Sequence, residues 1–472
     1  MIKKITALLL CLVMVMSFAA CGEKEDEKSI LTFAEYTDVE IFKDIPAMDM
    51  EKYTVVGAGD YGDDWYVMEL RGKGLLNYAE LENYVKTMEE AGFKKYADNG
   101  KTGIENSMFT ATLTRDNTVV AVTMITGIRT VYISVAERKH VSPYLIYDAS
   151  YVEGNIPGAQ TTMTMQMLKD TGNCYIMQLK NGHYIINDGG FAEESRMLIN
   201  YLIENAPEGQ KPVIDAWFIS HDHVDHTGPL YNAHEFAYDI YVEGFYSNSV
   251  SKDVERLVDM SGDSSIGTAA RATLDCKNSA GEPTPLYRMH AGERYYFNDI
   301  TVEVLYTNEQ IKETEYQANL NASTTWLMYY IEGQKVFMSG DTEIVNMRHV
   351  AGYFDKSFFA VDLMNMPHHG YNYYSDDLSY YVAKTMIYAN AYCMNNGWWP
   401  AERKAANLEI QQYAEEIVCW ADGSKRFTFP YTVGSVETIP CWYPENVVEF
   451  TQNQVKWAKE TGVNWTPAKI TE

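Results

Sequence analysis

Ser220-His221-Asp222-His223-Val224-Asp225-His226 restricts this chain more than any other stretch. It follows Val213–Ile219, an apolar run that reads as a buried strand, so it occupies a loop at a strand end. Loops at strand ends are where side chains from several strands can converge on one cavity. His offers an imidazole nitrogen and Asp a carboxylate oxygen, donors suited to zinc and similar divalent ions. The four donors His221, His223, Asp225 and His226 are costly together unless something neutralises them. The plain alternative is a polar surface loop.

Strand-like runs precede this loop at Thr161–Leu168, Cys174–Lys180 and His183–Asn187, with a helix expected at Ala192–Asn205. Further strands read at Thr301–Tyr306, Trp326–Tyr330, Val336–Ser339 and Val361–Met366, and helices at Asp376–Thr385 and Ala401–Glu416. The order points to two sheets flanked by helices, an α/β domain over 143–440 with a tail at 441–472. Residues 30–142 read as a small α+β accessory domain. There Asn77-x-x-Glu80 is a capping box, Leu81, Tyr84, Val85 and Met88 follow at helical spacing, and Gly92 stops the helix. Met108–Thr114 and Thr118–Ile125 flank a hairpin turn, and Arg129–Ala136 is a third strand. This domain carries no catalytic constellation.

Four motifs in order resemble the metallo-β-lactamase fold family. His-x-His-x-Asp-His is its signature. Ile186-Asn187-Asp188-Gly189-Gly190 is similar to the early strand ending in Asp, Phe337-Met338-Ser339-Gly340-Asp341 to the later strand ending in Gly-Asp, and Pro367-His368-His369-Gly370 to the last His motif. Leu168–Leu179, His290–Arg294 with Val302–Tyr306, and Asp362–Gly370 resemble the secreted, competence-type branch. That branch includes DNA-uptake nucleases and is similar to phosphorylcholine esterases of cell surfaces. The resemblance implies an αββα four-layer sandwich and two divalent metal ions. His221 and His223 would hold one ion, Asp225, His226 and His369 the other, and Asp341 would bridge both. It also implies a hydroxide attacking an electrophilic centre, Asp225 and His368 as the catalytic residues with His368 the proton donor or phosphate holder, and Asp188 orienting a ligand. Two adjacent histidines do not easily face one metal, and His369 is preferred as ligand because it precedes Gly370.

This sequence departs from the family at Asn319-Leu320-Asn321-Ala322-Ser323, where most members carry a further His. Zinc is the default metal, and the missing imidazole leaves room for manganese or iron. Tyr371 and Trp399-Pro400 also depart from the branch. Of the other histidines, His140 and His349 read as surface residues, His183 as structural, and His234 and His290 as within reach of the cavity without filling the missing position.

Lys3 and Lys4, the apolar run Ile5–Ala20 and Phe18-Ala19-Ala20-Cys21-Gly22 resemble a bacterial signal peptide (1–20) ending in a lipobox. That implies lipid on Cys21, a charged tether over 21–29 and a cell-membrane location on the extracytoplasmic face. A plain secretory signal or an uncleaved anchor is the alternative. With Cys21 lipidated, five cysteines remain in the mature chain, no CxxC occurs, and buried apolar thiols are the default. The net charge of −27 argues against general nucleic-acid binding and for small or zwitterionic substrates, while the branch resemblance implies that the substrate is a small or cell-surface phosphodiester. The expected activity is therefore metal-dependent phosphodiester hydrolysis. A surface binding lipoprotein that has lost turnover is the second reading, and a β-lactamase the third.

Overall fold

In the computed structural model the described residues are 30–62, 65–101, 103, 104, 106–168, 172–248, 267–307, 309, 320–342, 347, 350, 352–370, 382–388, 413–420 and 423–439. The chain divides by contact after Ala47. Residues 30–47 hold two short 3-10 turns, Phe33–Glu35 and Glu40–Asp44, closed by a bridge between Thr32 and Pro46. The remainder, 48–472, is one compact unit of mixed α/β architecture containing three sheets.

The first sheet has six antiparallel strands in the order β1-β2-β6-β5-β4-β3. They are β1 (Tyr53–Gly62), β2 (Trp65–Gly72), β3 (Lys94–Asp98), β4 (Met108–Arg115), β5 (Thr118–Ile125) and β6 (Thr130–Glu137). Between β2 and β3 lies helix α1 (Tyr78–Glu90). Asn77 caps it through the Glu80 N–H at 3.3 Å, and Leu81, Tyr84, Val85 and Met88 form its buried face. Asp116 takes the left-handed conformation (φ 53°) in the turn joining β4 to β5, where Arg115 pairs with Thr118.

The second sheet contains β7 (Thr162–Met165), β8 (Cys174–Gln178), β9 (Tyr184–Asp188), β10 (Val213–Phe218), β11 (Tyr241–Val242), β12 (Phe245–Tyr246), β13 (Leu286–Tyr287), β21 (Ser424–Thr428) and β22 (Glu437–Ile439). The third contains β14 (Arg294–Phe297), β15 (Ile300–Tyr306), β16 (Trp326–Ile331), β17 (Gln334–Met338), β18 (Ala360–Asn365), β19 (Val382–Tyr388) and β20 (Glu416–Cys419). Each of these sheets has an antiparallel half and a parallel half. β9 runs parallel to β10, and β17 parallel to β18. Asp188, the loop at 220–226, Asp341 and His368-His369 all follow the carboxyl ends of those four strands, the side on which open α/β sheets bind ligands.

Strand β16 shows how the layers are joined. Leu327, Tyr329 and Ile331 enter the core between the second and third sheets, while Trp326 and Met328 enter a cluster with Trp65, Val67, Met108 and Tyr132 of the first sheet. The third sheet is thus buried on both faces, which explains its continuous apolar strands. Trp326 is fully buried. Burial of a side chain that size stabilises by about 4–6 kcal/mol before discounting for residual burial in the unfolded chain. Its Nε1 donates to Thr342 Oγ1, next to Asp341, so the packing layer also holds the site loop.

Helix α2 (Ser195–Asn205) packs on the second sheet through Leu198 and Leu202. On the opposite face, among the described residues, the third sheet shares its cluster with the first sheet and with Met347, Val350, Tyr353, Phe354 and Phe358. The helices expected at 376–385 and 401–416 fall mostly outside the described residues, and their described ends, Val382–Thr385 and Glu416, are strand. Cys174 and Cys276 are buried free thiols, burial pushes that of Cys276 up to about 12, and Cys419 is buried as well.

Candidate metal centre

Asp188 ends β9 with a left-handed backbone (φ 60°) and a fully buried side chain. Its Oδ1 accepts the Ser220 N–H at 2.8 Å, and its Oδ2 accepts Ser220 Oγ at 2.9 Å and faces His226 Nδ1 at 2.9 Å. The Trp217 indole N–H donates to the Asp188 carbonyl at 3.1 Å. The hydrogen-bond network therefore assigns the proton of His226 to Nδ1 and turns Nε2 toward the other loops. That Nε2 is fully buried and makes no hydrogen bond, although Asp341 Oδ1 lies 3.2 Å and Asp225 Oδ1 3.8 Å away. His221 Nδ1 is 3.0 Å from Ser220 Oγ, whose own proton goes to Asp188, so His221 donates and its Nε2 keeps a lone pair. That nitrogen lies 3.0 Å from His223 Nδ1.

Helix α3 (Val224–Tyr231) starts inside the motif and puts Asp225 in its first turn. On the far side, Gly340 (φ 51°) permits a close pass: a Cβ there would lie 2.5 Å from Thr324 Cγ2 and 2.9 Å from Ser220 Cβ. Asp341 follows it, buried. His368 (φ 50°), His369 (φ 54°) and Gly370 (φ 80°) form a left-handed turn, anchored by the His368 N–H donating to Gly340 O at 3.0 Å. Two consecutive non-glycine residues in that region cost roughly 1–2 kcal/mol each. The turn brings both imidazoles to Asp341. His369 Nε2 is 3.1 Å and His368 Nε2 3.6 Å from Oδ2. Both imidazoles approach the Asp341 carboxylate, but of the two only His369 belongs to a group of candidate ligands. Only His369 also meets Asp225, at 3.1 Å from Oδ2, and it is buried while His368 is partly exposed.

Two groups of candidate ligand atoms result: Asp225, His226, Asp341 and His369, and His221, His223 and Asp341. Asp341 is common to both. Ligands of one cation at bond lengths near 2.1 Å stand about 3.0–3.4 Å apart in octahedral or tetrahedral geometry. The contacts of 3.0–3.2 Å, and a buried His226 Nε2 with no hydrogen bond, fit that pattern. Burial works against the charges on Asp225 and Asp341, yet His226 and His369, with His368 beside Asp341, outweigh it and hold both carboxyls well below the usual range. Burial likewise opposes charge on His226 and His369. For His226, Asp341 and Asp188 overcome it and raise it strongly; for His369, Asp341 and Asp225 push it up to about 9. Burial, then His226 and His223, hold His221 well below the ordinary imidazole value. Protons on His226 and His369 balance the carboxylates, and a divalent cation competes for the same lone pairs.

The other histidines lie elsewhere. His140 is buried, not at the surface, because its Nδ1 pairs with Leu286 O at 2.7 Å. His183 Nδ1 pairs with Asp215 Oδ1 at 2.7 Å. His234 is exposed on a short helix, and His290 is buried against Glu309 at 2.6 Å; neither belongs to the ligand groups. The turn Leu320–Ser323 is buried and brings no imidazole. His349, Tyr371, Trp399 and Cys21 lie outside the described residues. Sequence reasoning passed over Ser220, which precedes the motif, and Asn173, which follows a glycine turn.

No family model and no curated protein matches this sequence. Among solved structures, the metallo-β-lactamase fold protein YhfI from Bacillus subtilis aligns over 55% of this chain and 97% of its own, at 12% identity and a TM-score of 0.31. The BLEG-1 B3 metallo-β-lactamase aligns over 38% of this chain and 71% of its own, at 19% identity and a TM-score of 0.24. Zn(2+)-bound PqqB from Methylobacterium extorquens aligns over 42% of this chain and 60% of its own, at 12% identity and a TM-score of 0.27.

Proposed function

We propose that this chain is a metal-dependent hydrolase of metallo-β-lactamase type that cleaves phosphodiesters outside the cytoplasm, held to the membrane by lipid on Cys21. The observation that carries the reading is the pair of ligand groups sharing the buried Asp341. When bound, two divalent ions supply a nucleophile at neutral pH and stabilise negative charge as it develops. The chain's residues do the rest. Asp188, directly and through Ser220, fixes His226 and His221 in one tautomer each. The left-handed turn keeps His369 against Asp225 and leaves His368 on the open side, within reach of a leaving oxygen or a phosphoryl oxygen. Phosphodiesters are chosen because His368, beside His369, could supply a proton or a hydrogen bond to a phosphoryl oxygen, and because Leu168–Leu179 and Asp362–Gly370 resemble the competence-type branch. The acidic chain repels long polyanions and favours small or zwitterionic substrates, such as phosphocholine-bearing surface polymers.

Purified protein loaded with zinc or manganese should hydrolyse an activated aryl phosphodiester, and a chelated control should not. The same preparation is offered phosphocholine esters, lactones and β-lactams. Turnover of a lactone or β-lactam with none of any phosphodiester overturns the choice of bond. The anchor is tested separately. Expressed in a Gram-positive host, wild-type protein should fractionate with membranes and Cys21→Ser should be released or misprocessed. Equal partition of the two forms refutes lipidation.

A further inference from the structure

The turn at Gly172-Asn173 touches both carboxylate loops of the centre. Gly172 sits at φ 109°, and a Cβ there would lie 2.6 Å from Asp225 O, so only glycine lets the chain pass this close. The Asn173 backbone N–H then donates to Asp225 O at 3.2 Å. Its side chain, fully buried, turns to the other loop: Nδ2 donates to Asp341 Oδ1 at 3.3 Å. The Asn173 Oδ1 accepts the Tyr175 hydroxyl at 3.3 Å, and Tyr175 is itself buried in β8. Both ends of the amide are thereby committed. Flipping it would set oxygen against the Asp341 carboxylate and NH₂ against the Tyr175 donor.

We propose that Asn173 is a positioning residue for the metal centre: it locks the rotamer of the carboxylate common to both ligand groups and holds the Asp225 and Asp341 loops at fixed separation. The proposal rests on reading those groups as cation sites. Asp341 Oδ1 faces His226 Nε2 at 3.2 Å while Oδ2 faces His369 Nε2 at 3.1 Å. A carboxylate serving two ions cannot turn about its terminal bond without losing one of them, and an N–H donor on one oxygen removes that freedom. An amide does this without charge, whereas a lysine or arginine in its place would repel the cations.

The test uses the full chain with Asn173→Ala, Asn173→Leu (the same branching at Cγ, no donor) and Tyr175→Phe. Zinc affinity is read by competition with a chromophoric chelator, the ligand field by the visible spectrum of cobalt-loaded protein, and folding by circular dichroism. Both Asn173 variants should bind zinc ~10–100-fold more weakly, the usual cost of losing a ligand-orienting partner, and shift the cobalt spectrum. Tyr175→Phe should move the same way by about 2–10-fold, the worth of one hydrogen bond. A purely structural role would lower the melting temperature and leave affinity and spectrum of the folded protein unchanged, and that result overturns the proposal. Should both Asn173 variants fail to fold, wild-type affinity in Tyr175→Phe overturns it instead. Wild-type protein that takes up neither zinc nor cobalt is a different failure, that of the metal-centre reading itself.

Discussion

Asp341→Ala is expected to bind no divalent ion where the wild type is expected to bind two, and to lose hydrolysis with them. Asp341 is the one residue in both ligand groups, and its two oxygens face different imidazoles. Removing it leaves Asp188 to balance His226 and Asp225 alone to balance His369. Loss of one transition-state donor costs ~10²–10³ in rate, and loss of the shared ligand should exceed that. Uptake by the wild type should also depend on pH with a definite sign. His369 is raised to about 9, so at neutral pH it carries a proton that must leave before its nitrogen can bind a cation. Affinity should therefore rise from pH 6 toward pH 9, with proton release visible by calorimetry in buffers of different ionisation enthalpy. Metal content by atomic emission gives the stoichiometry. One ion retained at wild-type affinity in Asp341→Ala would refute the shared carboxylate.

The ligand residues were legible because each follows a strand that its own apolar pattern announces. Val213–Phe218, Val336–Met338 and Val361–Asn365 are short apolar runs, and the polar motifs begin where they stop. Helix α1 and the β4–β5 hairpin were legible for a similar reason: cap, spacing and turn residue all lie within a few positions of one another. Strand β1 escaped because Gly57, Gly59 and Gly62 interrupt its run, and its register against β2 shifts at Val55/Gly57 and Asp60/Gly62.

What covers the third sheet was not legible either. Trp326 and Met328 alternate with Leu327 and Tyr329 as in any strand buried on both faces, and nothing local says that the second face meets another sheet rather than a helix. His140 misleads in the same way. Arg138 and Lys139 precede it and suggest a surface, whereas its ring is buried against a carbonyl 146 positions away. The left-handed turn at His368-His369 is the hardest case, because neither residue favours that backbone. Its support comes from Gly340 O, on a different strand loop.

That turn also decides which of two neighbouring histidines does what. His369→Ala is expected to lose mainly the ion held with Asp225 and His226, because His369 Nε2 is within 3.1 Å of both Asp225 and Asp341 and is buried. His368→Ala is expected to keep both ions and to hydrolyse a phosphodiester with an alkyl leaving group at least ~10²-fold more slowly, the lower bound for a lost general acid. His368 stands farther back, with Nε2 at 3.6 Å from Asp341, and one fifth of its side chain reaches solvent, where a leaving oxygen would depart. Leaving-group dependence separates acid catalysis from simple phosphate binding. A good leaving group needs no proton, so the deficit of His368→Ala should shrink with nitrophenyl esters and grow with alkyl esters. A deficit equal across the series would make His368 a binding residue. Loss of metal in His368→Ala, with metal kept in His369→Ala, would reverse the assignment, and the ion would then sit on the solvent side of the turn.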